Sequence, residues 1–160
     1  MKVIYPGSFD PVTYGHLDII ERCAKKFDHV IIAVLNNVAK NAAFSIDERL
    51  WLLKETTKHL DNVEIDSFSG LLADYAKEKN CTTMIRGLRA VSDFEYEMQM
   101  ELANRKINND IETLFMVSNS DYVYLSSSIV REIAYHNGDI SCFVPKVVED
   151  TMKKKLKGDI

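Results

Sequence analysis

The sequence predicts an α/β fold: a doubly wound, five-stranded parallel sheet with helices on both faces. Short apolar runs alternate with segments of helical periodicity along most of the 160 residues, the pattern of strand–helix–strand units. The run from His29 to Leu35 is nearly continuous in apolar residues, which suits a parallel strand covered on both faces. No repeat, low-complexity segment or linker rich in Pro, Gly and Ser interrupts the pattern, so we expect one domain over residues 1–160.

The first half of the chain is predicted to hold three strands and two helices. Ser45 with Glu48 forms a capping-box signature, which marks the start of a helix. Residues 63–68 alternate between polar and apolar side chains, which places this strand nearer an edge of the sheet. The predicted elements are strand 2–5, helix 14–27, strand 29–35, a helix from 45 to about 60, and strand 63–68.

The second half continues the alternation and closes with two helices. Its predicted elements are helix 71–79, strand 82–86, a helix from about 92 to 107, strand 111–117, and helices near 127–137 and 146–157. Connections between parallel strands should be right-handed. The basic run at 153–157 is interpreted as a solvated helix end, where the helix dipole favours cations, rather than as a nucleic-acid tail.

Composition and charge exclude several classes of protein. The net charge of −4 argues against a general nucleic-acid binder, which usually carries a basic excess. The cysteines Cys23, Cys81 and Cys142 are odd in number and widely spaced, so neither a disulfide framework nor a thiolate zinc site is expected. The sequence has no signal-peptide pattern and no membrane-spanning run, and we therefore expect a cytoplasmic protein that binds no membrane.

Unusual residues follow the predicted strands, at the points where each strand ends. In a parallel sheet these carboxyl ends meet at one edge, where ligands bind near the reversal of strand order. That edge should gather His16, Lys40, Arg86 and Arg89 with several hydroxyl groups, in a protein that is acidic overall. Such a cluster is best explained by a polyanionic ligand such as a phosphate ester.

The first of these strand ends carries the densest signal, YPGSFDPVTYGH from Tyr5 to His16. If Thr13 caps the following helix, His16 lies in the first helical turn, where free N–H groups and the helix dipole favour an anion. Gly15 has no side chain, so a phosphate could approach the backbone closely. Taken alone, Gly7 and Gly15 are equally turn glycines, and His16 alone reads more readily as a structural or surface histidine.

The other candidates also have ordinary interpretations. Arg86 and Arg89 could be surface partners in ion pairs with Asp93, Glu95 or Glu97, and Lys40 alone is a typical loop lysine. Ser126, Ser127 and Ser128 could simply cap the next helix. The face containing Phe94, Tyr96 and Met98 looks like mixed core and interface, and Met98, Met100 and Leu102 suggest a subunit contact.

Three stretches together resemble one enzyme family. GSFDP followed by TYGH resembles the signature of nucleotidyltransferases with an HxGH-type motif. RGLRAVSDFEYE, from Arg86 to Glu97, resembles a segment of bacterial phosphopantetheine adenylyltransferases, and Thr13 also fits that family. So does the stretch from Tyr122 to Ser128, with Arg131 after it. The similarity runs from Lys2 to about Leu156 in the same order.

The resemblance implies a Rossmann-like fold and transfer of AMP from ATP to 4′-phosphopantetheine, with dephospho-coenzyme A and pyrophosphate as products. Magnesium would be carried by the ATP phosphates and need few or no protein carboxylates, and coenzyme A becomes a candidate feedback ligand. A homohexamer is the expected assembly.

The resemblance also assigns site residues position by position. His16 would contact ATP and stabilise the transition state, and is the one catalytic residue implied. The ATP site would comprise Ser8, Phe9, His16, Gly87, Leu88, Arg89, Glu97, Tyr122, Val123, Tyr124, Leu125, Ser126, Ser127 and Ser128. The acceptor would be held by Ser8, Lys40, Leu72 and Arg86.

The sequence departs from the family pattern in three places. Ser8 stands where threonine is also common, and Arg131 stands where lysine is also found. The approach to Lys40 lacks the proline and extra lysine often found there. Two other functions remain alternatives, a nicotinate-mononucleotide adenylyltransferase and a non-catalytic nucleotide sensor. Thr13 and the segment from Arg86 to Glu97 disfavour the first, and the joint presence of His16, Lys40 and Arg89 disfavours the second.

Overall fold

The computed structural model describes residues 1–36 and 42–158, in which five parallel strands form one sheet. The strands are β1 Lys2–Gly7, β2 His29–Leu35, β3 Val63–Phe68, β4 Thr83–Leu88 and β5 Glu112–Val117. The helices are α1 Tyr14–Ala24, α2 Ile46–Thr57, α3 Leu72–Glu78, α4 Val91–Ile107, α5 Ser127–Tyr135 and α6 Lys146–Lys157, with a 3₁₀ turn at Ser120–Tyr122. None of these helices is both long and apolar enough to cross a membrane.

The strand order is β3-β2-β1-β4-β5, so the chain winds outward from β1 in one direction and then in the other. β1 pairs with β2 along its whole length, whereas its register with β4 is carried by Ile4 opposite Met84. The order reverses between β1 and β4, and this is where an open parallel sheet leaves a crevice for ligands. The expected doubly wound, Rossmann-like α/β fold is confirmed.

Alternate residues of the central strands feed two separate hydrophobic clusters. Val3 and Tyr5 of β1 belong to the larger cluster, which includes residues of α1, α2, α5 and α6. Ile4, on the other face, packs in the smaller cluster with Ala73 and Ala76 of α3. The sheet is therefore buried on both faces, as the apolar β2 sequence indicated.

Every predicted strand and helix is present, and several of their ends differ from the prediction for local reasons. Helix α6 has the predicted bounds, and β3 lies at an edge of the sheet as predicted. Helix α5 ends at Tyr135 instead of near residue 137, because Asn137 adopts a left-handed conformation (φ 59°) and the N–H of Gly138 closes back on the carbonyl of Ile133. Strand β1 is longer than predicted, because Pro6 and Gly7 keep the register with β2.

Candidate active site

Two clefts open at the carboxyl ends of β1 and β4, on opposite faces of the sheet. The first cleft is lined by Tyr5, Thr13, Gly15, His16, Gly87, Arg89, Ser118, Leu125, Ser126 and Ser127. The second cleft is lined mainly by β1 and β4 ends, the start of α3 and one side of α4, with Ser8, Leu72, Arg86, Glu97, Glu101 and Asn104 among its residues. Consecutive residues of β4 separate the two, because Arg86 faces the second cleft and Gly87 the first.

Thr13 and His16 form a reciprocal capping box at the start of α1. The hydroxyl of Thr13 accepts from the His16 backbone N–H at 3.4 Å, and the His16 ring nitrogen Nδ1 accepts from the Thr13 backbone N–H at 3.1 Å. Thr13 is thus the N-cap that the sequence predicted. Since Nδ1 is an acceptor, the neutral ring carries its proton on Nε2, which is left as the hydrogen-bond donor.

The His16 ring is held in its neutral form. Burial of the ring, with a smaller effect from the positive charge of Arg89, lowers the pKa of His16 from 6.5 to about 4. Around pH 7 the ring therefore donates from Nε2 as a neutral group. A neutral donor suits stabilisation of charge on a phosphoryl oxygen, and such a ring is not set up to take a proton there.

The Phe9 ring packs against the His16 ring. Its side chain is buried, with its ring edge-on to His16 at 5.0 Å and to Tyr5 at 5.4 Å between centroids. Phe9 has a positive φ of 47°, and a Cβ on Gly7 would lie 2.9 Å from its ring atoms. Gly7 therefore makes room for the ring on which His16 rests. The Phe9 ring thus forms the floor of the site beneath His16, and the assignment of Phe9 to the ATP site stays a prediction.

The first turn of α1 leaves one amide facing the first cleft. The N–H of Tyr14 donates to the carbonyl of Phe143 at 3.0 Å, and that of His16 to Thr13. Within residues 1–36 and 42–158, no acceptor bonds the N–H of Gly15. Gly15 lines the cleft beside His16. A free amide, a neutral ring donor and the positive end of α1 converge there, which is the chemistry of an anion site.

Arg89 adds a cation to the same cleft and is hydrogen-bonded to the loop that contains Leu125 and Ser126. Its Nη1 donates to the carbonyl of Leu125 at 2.9 Å, and its Nε to Asp93 at 3.2 Å. Ser126 caps α5 by accepting from the N–H of Ile129, as the capping alternative predicted, and it also lines the cleft. Ser127 donates to the carbonyl of Pro11 at 2.7 Å, which joins this loop to the turn after β1.

Other residues assigned to the ATP site lie around this cleft. Tyr122 stacks on Tyr14 at 6.2 Å, and Tyr124 is exposed with its ring edge-on to Phe143. Val123 is also exposed, and Ser128 accepts from Arg131 at 3.2 Å. The carbonyl of Leu88 pairs with the N–H of Ser118. The side chains that line the first cleft do not include the following residues assigned to the ATP site: Leu88, Tyr122, Val123, Tyr124 and Ser128.

The second cleft is built around an arginine held by a carboxylate. Arg86 donates to both oxygens of Glu97, from Nε at 2.5 Å and from Nη2 at 2.6 Å, and its Nη1 reaches the carbonyl of Pro6 at 3.1 Å. Glu97 therefore lines the second cleft, together with Ser8, Leu72 and Arg86. The assignment of Glu97 to the ATP site, and of the other three to the acceptor, stays a prediction.

The rest of the second cleft is lined by both apolar and polar side chains. Phe68, Leu71 and Met100 contribute apolar surface, and Leu71 is 55% exposed. At the α4 side, buried Glu101 accepts from Thr113 and from Nε of Arg105 at 3.1 Å, with Asn104 beside it. Lys40, the remaining predicted acceptor residue, lies outside the described residues.

Three charged groups support the loop after β1. Asp10 and Arg131 lie in the stretches that carry the family resemblance, whereas no feature of the sequence singled out Arg49. The buried carboxylate of Asp10 accepts from the N–H groups of Ala43 and Phe44 at 2.9 and 2.8 Å. Buried Arg49 donates to the carbonyls of Ser8 at 3.0 Å and Leu35 at 3.4 Å. Arg131 donates to the carbonyl of Asp10. Asp10, Arg49 and Arg131 each contact residues far away along the chain, and no local sequence pattern predicts such contacts.

Imidazole, thiolate and carboxylate groups are the side chains that could hold a metal ion in this protein. Within residues 1–36 and 42–158, no three His, Cys, Asp or Glu side chains gather as a metal centre would require. Asp10, the carboxylate in the loop after β1, is committed to two amides. None of the described residues is therefore assigned to hold Mg²⁺, and its binding through the ATP phosphates stays a prediction.

Comparisons with known proteins agree with this architecture. The family described as cytidylyltransferase-like matches residues 4–133. Among solved structures, a protein of Vibrio parahaemolyticus described as a nicotinate-nucleotide adenylyltransferase is similar over 94% of this chain and 97% of its own, with a TM-score of 0.67. The two sequences are 19% identical, so this likeness concerns the fold alone.

Proposed function

The chain belongs to the cytidylyltransferase-like family, and on that premise we propose that it transfers AMP from ATP to the phosphate of 4′-phosphopantetheine. The products are dephospho-coenzyme A and pyrophosphate. One observation carries the proposal: two clefts lie back to back across β1 and β4, and each presents an arginine, Arg89 in the first and Arg86 in the second. Two anionic substrates can then be held on either side of one reaction point.

The first cleft suits the nucleotide triphosphate. His16, the N–H of Gly15 and Arg89 converge on one region, and each is a donor or a cation. Gly87 has no side chain, so nothing projects from this position into the cleft, and Tyr5 and Ile19 lie next to it. The choice of ATP over CTP rests on two segments, Arg86 to Glu97 and Tyr122 to Ser128, which resemble those of bacterial phosphopantetheine adenylyltransferases.

The second cleft suits an acceptor that carries a phosphate on a long, partly apolar arm. Arg86 and the hydroxyl of Ser8 stand at the end near β1, where the acceptor phosphate would lie. Apolar side chains such as Leu72 and Met100 also line this cleft, and Asn104 contributes an amide. A pantetheine arm also carries apolar and amide groups.

The reaction is a single in-line displacement. An oxygen of the acceptor phosphate attacks the α-phosphorus of ATP and forms the new P–O bond. The bond from the α-phosphorus to the bridging oxygen breaks, and its electron pair leaves with pyrophosphate. No proton needs to move, which matches a His16 ring held neutral as a donor. Positioning of two anions and stabilisation of charge on the α-phosphoryl oxygens are then the main catalytic contributions.

Further parts of the proposal concern partners. Mg²⁺ on the ATP phosphates supplies charge neutralisation, and coenzyme A is a candidate feedback ligand of the same clefts. Met98 and Leu102 of α4 are four residues apart, so they lie on one side of the helix, and both are at least 41% exposed. We propose that these side chains meet other copies in a homohexamer, which sedimentation or mass photometry would test. A cytoplasmic location is also part of the proposal.

The proposal is tested by a substrate panel with pyrophosphate release as the readout. ATP and CTP are each combined with phosphopantetheine and with nicotinate mononucleotide, which represents the nearest rival function. Turnover with ATP and phosphopantetheine alone supports the proposal. Turnover only with nicotinate mononucleotide would show the rival function instead. Binding of ATP without any turnover would support a nucleotide sensor.

A further inference from the structure

Helix α4 supplies one carboxylate to each arginine of the two clefts. It begins three residues after β4, and its Asp93 and Glu97 are four residues apart, so they lie on one side of the helix. Asp93 pairs with Arg89 and Glu97 pairs with Arg86. The sequence left open whether these arginines were surface ion-pair partners or ligand-binding groups. The structure shows ion pairs, and it places both of them at the clefts.

The pair in the second cleft fixes Arg86 by three hydrogen bonds. Both oxygens of Glu97 are used, and the carbonyl of Pro6 takes a third N–H. A guanidinium has five N–H groups, so two remain that bond to no described residue. The Arg86 and Glu97 side chains are 27% and 15% exposed, which leaves the pair partly shielded from water. The plane of the guanidinium, and hence the direction of its two remaining donors, is set by Glu97.

The pair in the first cleft is looser. A single oxygen of Asp93, Oδ2, accepts both the backbone N–H of Arg89 at 3.3 Å and its Nε at 3.2 Å. Nη1 is fixed by the carbonyl of Leu125, so three of the five N–H groups bond to no described residue. The Arg89 side chain is 38% exposed. One carboxylate therefore holds its arginine by two oxygens and the other by one.

We propose that Glu97 and Asp93 are positioning residues that aim Arg86 at the acceptor phosphate and Arg89 at the nucleotide phosphates, each acting on one substrate. This inference rests on the proposed function for the identity of the two substrates. It makes a prediction opposite to that of charge alone. Removing a carboxylate raises the positive charge of its cleft, and attraction alone would then tighten phosphate binding. Loss of orientation weakens it instead.

The test is a comparison of steady-state KM values for ATP and phosphopantetheine in matched variants. Glu97→Gln and Glu97→Ala should raise the KM for phosphopantetheine about 10- to 100-fold, the equivalent of one or two charged hydrogen bonds, with the KM for ATP unchanged. Gln fails almost as badly as Ala, because its amide NH₂ faces an arginine N–H. Asp93→Ala should raise the KM for ATP instead, and Asp93→Asn should retain most binding because its carbonyl oxygen replaces Oδ2.

Glu95→Gln is the matched control, since Glu95 is exposed on the same helix and should leave both KM values unchanged. A fall in the phosphopantetheine KM of Glu97→Gln, or equal changes in both KM values, would overturn the inference. Thermal unfolding of each variant is measured in parallel, with Glu97→Asp as a second probe. If neither Glu97→Gln nor Glu97→Asp folds, the pair is structural and the inference is wrong.

Failure of the proposed function gives a different result. If the wild-type protein does not turn over phosphopantetheine, that function falls, and the two pairs are then tested by calorimetric titration with ATP and with inorganic phosphate. The same separation is expected, with Glu97→Gln weakening phosphate and Asp93→Ala weakening ATP. Absence of that separation would overturn the inference by itself.

Discussion

A histidine whose ring is neutral in the folded protein and protonated in the unfolded chain makes stability depend on pH. Burial, aided by Arg89, lowers the pKa of His16 from 6.5 to about 4. Between these two values the unfolded chain binds a proton that the folded protein does not. The free energy of unfolding must therefore fall as the pH drops from 6.5 towards 4, and this contribution is complete above pH 6.5.

The size of this effect follows from the same two values. A pKa difference of 2.5 corresponds to about 3.4 kcal/mol at 1.36 kcal/mol per pH unit, and about 2.5 kcal/mol of it is lost by pH 4.5. His16→Gln removes the titrating group and keeps an amide that can donate. We expect the stability difference between wild type and His16→Gln to shift by roughly 2 kcal/mol or more, in favour of the variant, from pH 7.5 to pH 4.5.

Urea denaturation of both proteins across that pH range measures the shift. Taking the difference cancels the carboxylates and the histidines His29, His59 and His136, which are present in both proteins. A difference that stays flat to within about 0.5 kcal/mol would refute the reasoning. It would mean that the His16 ring has an ordinary pKa and is not held neutral by burial.

The remaining predictions concern the same loop and the acceptor. His16→Ala should lower kcat by about two to three orders of magnitude with the protein still folded, as expected for loss of one transition-state donor; near-normal turnover would remove its catalytic role. Gly7→Ala should cost about 1–3 kcal/mol of stability and reduce kcat, because the new Cβ meets the Phe9 ring under His16; unchanged urea midpoint and turnover would contradict this. Thr13→Ala should cost about 1 kcal/mol through the lost helix cap, measured by urea denaturation, and an unaltered midpoint would argue against that cap. Lys40→Ala should raise the KM for phosphopantetheine far more than that for ATP, and equal effects would reassign Lys40.

Periodic and capping signals in the sequence were sufficient to predict the fold. The continuous apolar run of β2 and the alternation of β3 indicated a sheet covered on both faces with β3 at an edge, and both are present. The Thr13 cap was predictable because its partner, His16, is three residues away. Element ends were harder, since the end of α5 depends on the left-handed conformation of Asn137.

The site was only partly predictable, for a physical reason. The carboxyl ends of parallel strands must meet at one edge, so His16, Arg86 and Arg89 could be grouped from the sequence. The face of the sheet to which each residue belongs depends on strand register. The sequence therefore left open which of Asp93, Glu95 and Glu97 pairs with each arginine. The contact of Arg49 with Ser8 joins residues 41 positions apart and leaves no local pattern in the sequence.

The most direct test of the central claim follows the α-phosphorus itself. The protein is incubated with phosphopantetheine and ATP labelled at the α-phosphate, and the products are separated by chromatography. If the two clefts hold nucleotide and acceptor for transfer of AMP, the label appears in dephospho-coenzyme A and the pyrophosphate is unlabelled. Label that stays in ATP or ADP, with phosphopantetheine unchanged, would contradict the claim.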